Sequence, residues 1–304
     1  MEKADFTIHF SPEKTAEMVK DTKALVQSLK QDPQIHSLIE RGDIDASCIE
    51  KYPWTLHAWL NEFEPCIGCR GLTFCRQKTA GYFSSIHEDG MLKKSMKACK
   101  YMRKQLEAEA HMKNYASDDL PKNMRTVSLA DIDITKESQE YAKVLTKVLQ
   151  CSEAYGSMYL YGNMGTGKTY LAAGACNDHA RNNEHVAFIH YPSFCMRMAS
   201  MVMNNEYRSE LERLKAVKFL VIDDIGAESV TAWNRDSILL PLLNARYDAS
   251  LATWFTSNCD LDSLKIHLTF SAKGSEDELK AERILERIGT MCEIEALTGK
   301  DRRK

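Results

Sequence analysis

The chain has 304 residues and a mass of 34.6 kDa, more than one domain ordinarily holds, so two domains are expected. With 44% apolar and 27% charged residues and only 14 Gly and 7 Pro, it can bury a sizeable core and is neither collagen-like nor wholly disordered. Its 43 acidic and 40 basic side chains leave a formal charge of -3, which excludes a global field for nucleic acid or an anionic membrane, so any polyanion must be met locally.

The opening residues, with Glu2 and Asp5, lack the unbroken apolar stretch of a secretory signal. Nowhere do about eighteen apolar residues run together, so a cytoplasmic chain with no membrane partner is expected. Residues 11–62 read as helices: Met18, Val19, Leu25, Val26 and Leu29 recur at spacings of three and four, and Ile35, Leu38 and Ile39 follow Pro33. From Pro65 to Cys99 the pattern breaks into Gly, Ser, Cys and Thr without a period, a stretch too long for a plain connection.

That stretch holds Cys66-Ile67-Gly68-Cys69, a zinc-knuckle spacing in which two thiolates grip one ion around a glycine turn. Cys75, His87 and Cys99 follow, giving five candidate ligands for the four positions of a tetrahedral site. A structural Zn2+ held by Cys66, Cys69, Cys75 and Cys99, with His87 as substitute, is the economical expectation. Free thiols or a redox pair are the alternatives, although no thioredoxin-like βαβ unit surrounds the pair. Cys48, Cys151, Cys176, Cys195, Cys259 and Cys292 stand isolated and read as small core hydrophobes.

Residues 106–125 are polar and charge-dense, and suit a linker between a first domain, 1–105, and a second, 126–304. In the second, short apolar runs alternate with amphipathic windows: Met158 to Tyr161, His185 to His190, Phe219 to Ile222, Ala252 to Thr256 and Ile294 to Ala296. This alternation predicts an α/β fold, a parallel sheet with crossover helices.

Gly162-Asn163-Met164-Gly165-Thr166-Gly167-Lys168-Thr169 follows one such strand and opens the helical run from Tyr170 to Arg181, matching G-x-x-x-x-G-K-[ST] in the right context. The glycines let backbone N–H groups face a phosphate, and the helix adds its positive dipole end. Lys168 would neutralise the β- and γ-phosphates and Thr169 would ligate Mg2+, so ATP with Mg2+ is the expected ligand. Phe219-Leu220-Val221-Ile222-Asp223-Asp224 supplies the metal-side carboxylate at the end of a buried strand. Asp223 is expected at Mg2+, and Asp224, one residue further, is the candidate base for the attacking water. Asn258, after the strand Ala252 to Phe255, reaches the same edge and is either a γ-phosphate sensor or a turn former. Arg283 and Arg287 share one face of a charged helix; they read as salt-bridged surface or as an arginine finger for a neighbouring subunit. The basic end Gly299-Lys300-Asp301-Arg302-Arg303-Lys304 is either a soluble terminus or a phosphate contact.

Gly162 to Thr169, Val221-Ile222-Asp223-Asp224-Ile225-Gly226-Ala227-Glu228-Ser229, Phe255 to Asn258, Ala281 to Ile288 and Thr298 to Arg303 together resemble the bacterial replicative helicase loaders of the DnaI/DnaC type. The cysteine-bearing first domain is similar to the DnaI branch. The resemblance implies an AAA+ P-loop NTPase with a five-stranded parallel sheet and a reduced lid, preceded by a smaller helical zinc-binding domain that grips the helicase. It implies ATP-dependent delivery of a hexameric replicative helicase onto single-stranded DNA, with self-association through the ATPase domain. On that likeness Asn258 is the sensor, Arg287 the finger with Arg283 beside it, and Arg302 a second sensor. Asp224 stands where many AAA+ proteins have Glu, which implies slow hydrolysis suited to a switch. Phe83 stands where relatives can carry a histidine, so their ligand set does not transfer directly. The rival readings are an IstB-like transposition helper ATPase acting with a transposase, a metabolic kinase, and a nucleotide-gated adaptor without catalysis.

Overall fold

The computed structural model describes residues 12–269, 278–299 and 301–302. The opening residues read against a secretory signal, and Lys300, Arg303 and Lys304 of the basic end, lie outside them. The chain forms two compact units, residues 1–107 and 108–304. No helix among the described residues is long and apolar enough to cross a membrane.

The first unit begins with four helices, α1 (Pro12–Leu29), α2 (Pro33–Glu40), α3 (Cys48–Lys51) and α4 (Pro53–Phe63). Asp32 caps α2, its carboxylate accepting from the backbone N–H of Gln34 at 2.8 Å, and Pro33 takes the first turn where no N–H donor is needed. Leu29, Ile35, Leu38, Cys48, Leu56 and Trp59 close the core, each burial contributing about 1.5–3 kcal/mol for the large side chains. The aperiodic stretch is not loop throughout. It holds an antiparallel hairpin, β1 (Tyr82–Asp89) and β2 (Met91–Ala98), paired from Tyr82 with Ala98 to Asp89 with Met91. The indole N–H of Trp59 donates to the Ser84 carbonyl at 2.7 Å and ties α4 to β1. Helix α5 (Lys100–Ala108) follows.

The second unit is an α/β sandwich around a six-stranded parallel sheet of β3 (Tyr115–Asp118), β4 (Ser157–Tyr161), β5 (Val186–His190), β6 (Phe219–Asp223), β7 (Ala252–Ser257) and β8 (Cys292–Ala296). The spatial order is β3-β5-β6-β7-β4-β8, with every pairing parallel. Five strands match the apolar runs of the sequence. The sixth, β3, corrects the linker expectation, because residues 115–118 pair with β5 instead of joining two domains freely. Asp119 fixes that edge: its carboxylate takes two hydrogen bonds from Arg197, at 2.8 and 3.1 Å.

Helices α6 (Gln139–Glu153) and α7 (Lys168–Arg181) belong to one apolar core, where Leu145, Val148, Leu171 and Ala172 meet Met158, Val221 and Trp254. The other core holds Phe194 and Met198 of α8 (Tyr191–Ser200) and Leu211 and Leu214 of α9 (Glu206–Ala216). It also takes Leu242 and Leu243 of α10 (Leu240–Asp248), Leu264 and Leu268 of α11 (Leu261–Thr269), and Ile284 and Ile288 of α12 (Glu278–Met291). Cores on both faces explain why β6 and β7 are buried along their whole length and read as continuous apolar runs. Arg246 of α10 is fully buried and donates to the carbonyls of Leu214, Val217 and Ala252, tying α9 and β7 together. Five of the six isolated cysteines are buried, and Cys259 is half-buried.

Candidate nucleotide-binding site

A parallel sheet aligns strand dipoles and carboxyl ends, so ligands gather at that edge. Here β4, β5, β6 and β7 end around a cleft of about 840 Å³, lined among others by Lys168, Thr169, His190, Asp223, Asp224 and Asn258. The loop from Gly162 to Gly167 leaves β4 and turns into α7, with Gly167 at φ +102° directly before the first helical residue, Lys168. Because Lys168, Thr169 and Tyr170 at the start of α7 line the cleft, the positive end of the helix dipole lies there and favours an anion.

Lys168 is buried, and its ammonium group donates to the carbonyls of Gly162 at 2.8 Å and Asn163 at 2.9 Å and to Asn258 Oδ1 at 3.0 Å. The positive charge is thus held at the loop by neutral acceptors. Met164, Gly165, Gly167, Thr169 and Tyr170 line the cleft, while Gly162, Asn163 and the buried Thr166 stand behind it as its frame. Thr166 donates its hydroxyl to the Asn163 carbonyl at 3.0 Å.

Asp223, the last residue of β6, is almost wholly buried, and burial pushes its carboxyl above the ordinary aspartate range. Hydrogen bonds from the Thr256 and Thr169 hydroxyls, and the charge on His190, pull the other way. The Thr256 hydroxyl donates to Asp223 Oδ1 at 2.6 Å and accepts from the Asp224 N–H at 3.0 Å. Asp224 sits in the left-handed region at φ +59°, which turns its side chain out of the sheet and into the cleft. Its carboxylate accepts from Asn258 Nδ2 at 3.2 Å, and His190 Nε2 lies 3.9 Å from its other oxygen. Asn258 is therefore no mere turn former, since it bridges Lys168 and Asp224.

The opposite wall comes from residues that sequence reading did not single out. Asn123, Met124, Asp131, Ile132, Glu137 and Tyr141 line it, and Met124, Ile132 and Tyr141 are its apolar members. Arg302 reaches the same wall. Its guanidinium lies 3.7 Å from the centre of the Tyr141 ring and pairs with both carboxylate oxygens of Glu137, and the Arg302 backbone N–H donates to the Gly165 carbonyl at 2.8 Å. Those bonds hold the Glu137 carboxyl below the usual glutamate range. The glycines are needed on this side too: a Cβ at Gly162 would overlap the Leu297 carbonyl, and one at Gly165, which has φ +80°, would overlap the Asp301 carboxylate.

His190 was legible in principle, because it ends an apolar strand at the same edge as Asn258. Glu137 and Tyr141 carried no signal, since they meet Arg302, which the resemblance marks as a second sensor, only after the chain has folded across a separation of 165 residues between Glu137 and Arg302. Arg287 does not line the cleft. It packs on α10, its Nε donating to Asn244 at 3.0 Å and its guanidinium lying 4.6 Å from the Tyr247 ring. Arg283 is exposed.

In the first unit the zinc expectation is not met in its geometry. Among the described residues no group of three or more His, Cys, Asp or Glu side chains is placed to hold a metal ion. Burial raises the Cys66 thiol, and charge on Cys75, Cys69 and Cys99 raises it further. Gln77 Nε2 donates to Cys66 Sγ at 3.1 Å, and the Gly81 N–H to Cys75 Sγ at 3.3 Å. His87 is corrected as substitute ligand. It pairs with Lys93, five residues along β1 from the Tyr82–Ala98 end that adjoins Cys99, a distance of about 16 Å at the usual strand rise. Its Nδ1 is buried without a hydrogen-bond partner among the described residues.

Comparison with known proteins supports this reading of the cleft. The chain is 27% identical over 292 residues to the replicative helicase loader DnaI of Bacillus subtilis (strain 168), covering 93% of this chain and 94% of that protein. The crystal structure of DnaI is 29% identical, with a TM-score of 0.54, covering 61% of this chain and 98% of that one. A primosome component from Streptococcus pyogenes serotype M3 is 28% identical, with a TM-score of 0.51, covering 64% of this chain and 98% of the other. Residues 77–304 match the family described as IstB-like ATP binding protein, and with three quarters of its length inside that match and a phosphate loop built as above, the chain belongs to this family of ATP-binding proteins.

Proposed function

We propose that this protein is an ATP-dependent loader that binds a hexameric replicative helicase and delivers it onto single-stranded DNA. The observation that carries the reading is the extent of the likeness to DnaI. It runs through 93% of this chain, including the helical first unit, whereas the match to the IstB-like family begins at residue 77. A transposition helper of the IstB kind would need only the second unit, so the end-to-end likeness favours the loader.

In this reading ATP lies across the mouth of α7. Lys168 meets the β- and γ-phosphates, the Thr169 hydroxyl and Asp223 hold Mg2+, and Tyr141 with its neighbours takes the base. Asp224 orients the attacking water and accepts its proton, and Asn258 sits between Lys168 and Asp224, where it senses the γ-phosphate. The short aspartate side chain, engaged by Asn258, makes hydrolysis slow and suits a switch. Arg287 acts on the nucleotide of a neighbouring copy, which requires self-association through the second unit. Residues 1–105 grip the helicase. Zn2+ belongs to this reading on donor type: Cys66, Cys69, Cys75 and Cys99 are four soft ligands, the set a structural zinc prefers.

The test is capture of the purified helicase by the full chain, with and without ATP, followed by transfer to a labelled single strand. The wild type captures and transfers, while Lys168→Ala captures but fails to transfer. Capture of a transposase in preference to the helicase would refute the loader. Metal analysis of the purified protein should return about one zinc per chain.

A further inference from the structure

The overall charge of -3 conceals a segregated first unit. Residues 65–104 carry nine Lys and Arg against two acids, Glu88 and Asp89, a surplus of seven. All nine basic side chains are exposed. Lys93 pairs with Asp89 and Lys94 with Glu62, and no ion pair among the described residues engages the other seven.

Two hydrogen bonds join the segments that carry these seven. Arg70, Arg76 and Lys78 lie on the cysteine-rich loops, and Lys97 with Lys100, Arg103 and Lys104 lies where β2 runs into α5. The Tyr101 hydroxyl donates to the Cys69 carbonyl at 3.1 Å, and the Cys99 N–H to the Gly81 carbonyl at 2.8 Å, so the strand–helix junction is fastened to the loops. On α5 the spacing of Lys100, Arg103 and Lys104 puts them on one face, and the Lys100 ammonium lies 5.0 Å from the ring centre of the half-buried Tyr101. Between Arg70 and Arg76 the ring of Phe74 stands 68% exposed, and Ile67 is 54% exposed.

We infer that this basic platform is a binding site for single-stranded nucleic acid within the first unit. Long cationic side chains meet successive phosphates, and the exposed ring offers a base a stacking surface, a combination that binds strands without reading sequence. Cations around a bare aromatic ring complement a strand better than an acidic protein face, which has nothing to stack on Phe74. The inference rests on the loader reading only in naming DNA as the strand.

The test uses the full chain and a labelled oligothymidylate of about 20 nucleotides, followed by fluorescence anisotropy across a salt series. The triple variant Lys97→Glu, Lys100→Glu, Arg103→Glu should bind at least tenfold more weakly, with its salt slope reduced by about 2, since each phosphate contact contributes about 0.7 on a single strand. Phe74→Ala should lose about fivefold or more, in line with the loss of one stacked base. Reversing Lys20, Lys23 and Lys51 in the helical half should change neither quantity. ATP-analogue binding and circular dichroism confirm that the variants fold. Wild-type affinity and slope in the triple variant would overturn the inference, as would loss of helicase capture with DNA binding intact, which would mark an acidic protein as the occupant. Failure of the wild type to capture helicase sinks the loader reading alone, because the anisotropy result stands apart from it.

Discussion

Thr256→Val removes one hydroxyl and little volume, yet it should disable the carboxylate side of the cleft. The hydroxyl is buried, donates to Asp223 Oδ1 at 2.6 Å and accepts from the Asp224 N–H at 3.0 Å. A hydrogen bond to a charged group contributes about 1.5–3 kcal/mol, and a buried N–H left unpaired costs about 1–3 kcal/mol. The sum, about 2.5–6 kcal/mol, is a large share of the stability of a typical domain. Because the chain has two units, local amide exchange in β6 and β7 is a better assay than a global melt. The variant should exchange faster there by about two to four orders of magnitude, following about 1.4 kcal/mol per tenfold. Binding of ATP with Mg2+ should weaken in parallel, and Thr256→Ser should restore both. The pH dependence has a definite sign. Burial raises the Asp223 carboxyl in the folded state, so the native protein holds that proton longer than the unfolded chain. Stability therefore declines as pH rises through the interval between the two values and stays lowered above it. The Thr256 bond offsets this penalty only for the charged carboxylate, so the deficit of the valine variant should be full at neutral pH and shrink in acid. Unchanged exchange in β6 at neutral pH would refute the reasoning.

His190 faces Asp224 from the neighbouring strand, and Ser193 Oγ lies 2.8 Å from its other ring nitrogen. His190→Ala should change kcat of ATP hydrolysis several-fold with little change in nucleotide Kd, and the difference should vanish in an Asp224→Asn background. Gly165→Ala combines a strained φ of +80° with overlap on Asp301, so it should release the C-terminal turn. Faster amide exchange at Arg302, which donates to the Gly165 carbonyl, would report that release. The Glu137 carboxyl is held below its usual value by Arg302, so the contact stabilises fully above the ordinary glutamate range and is lost as pH falls through the lowered value. Titration followed by the Arg302 side-chain NMR signal should show it, and Glu137→Gln should abolish the transition.

The sequence by itself determined the ends of β4 and β6 and the loop between β4 and α7. Buried parallel strands are continuous apolar runs, and a phosphate loop fixes residue types at fixed spacing within one turn of chain. Residue type and spacing therefore place Lys168, Asp223, Asp224 and Asn258 at one sheet edge, and all four line the cleft. Tertiary structure alone decided the rest. The edge strand Tyr115–Asp118 is half-exposed and short, so it carries no apolar signature and resembled a linker. The hairpin strand Met91–Ala98 escaped for the same reason, because Lys93, Lys94, Met96 and Lys97 are exposed and break the alternation that marks a strand. Glu137, Tyr141 and Arg302 build one wall of the cleft from both ends of the second unit. No local periodicity encodes that convergence, since closing it depends on the whole sheet having formed between them.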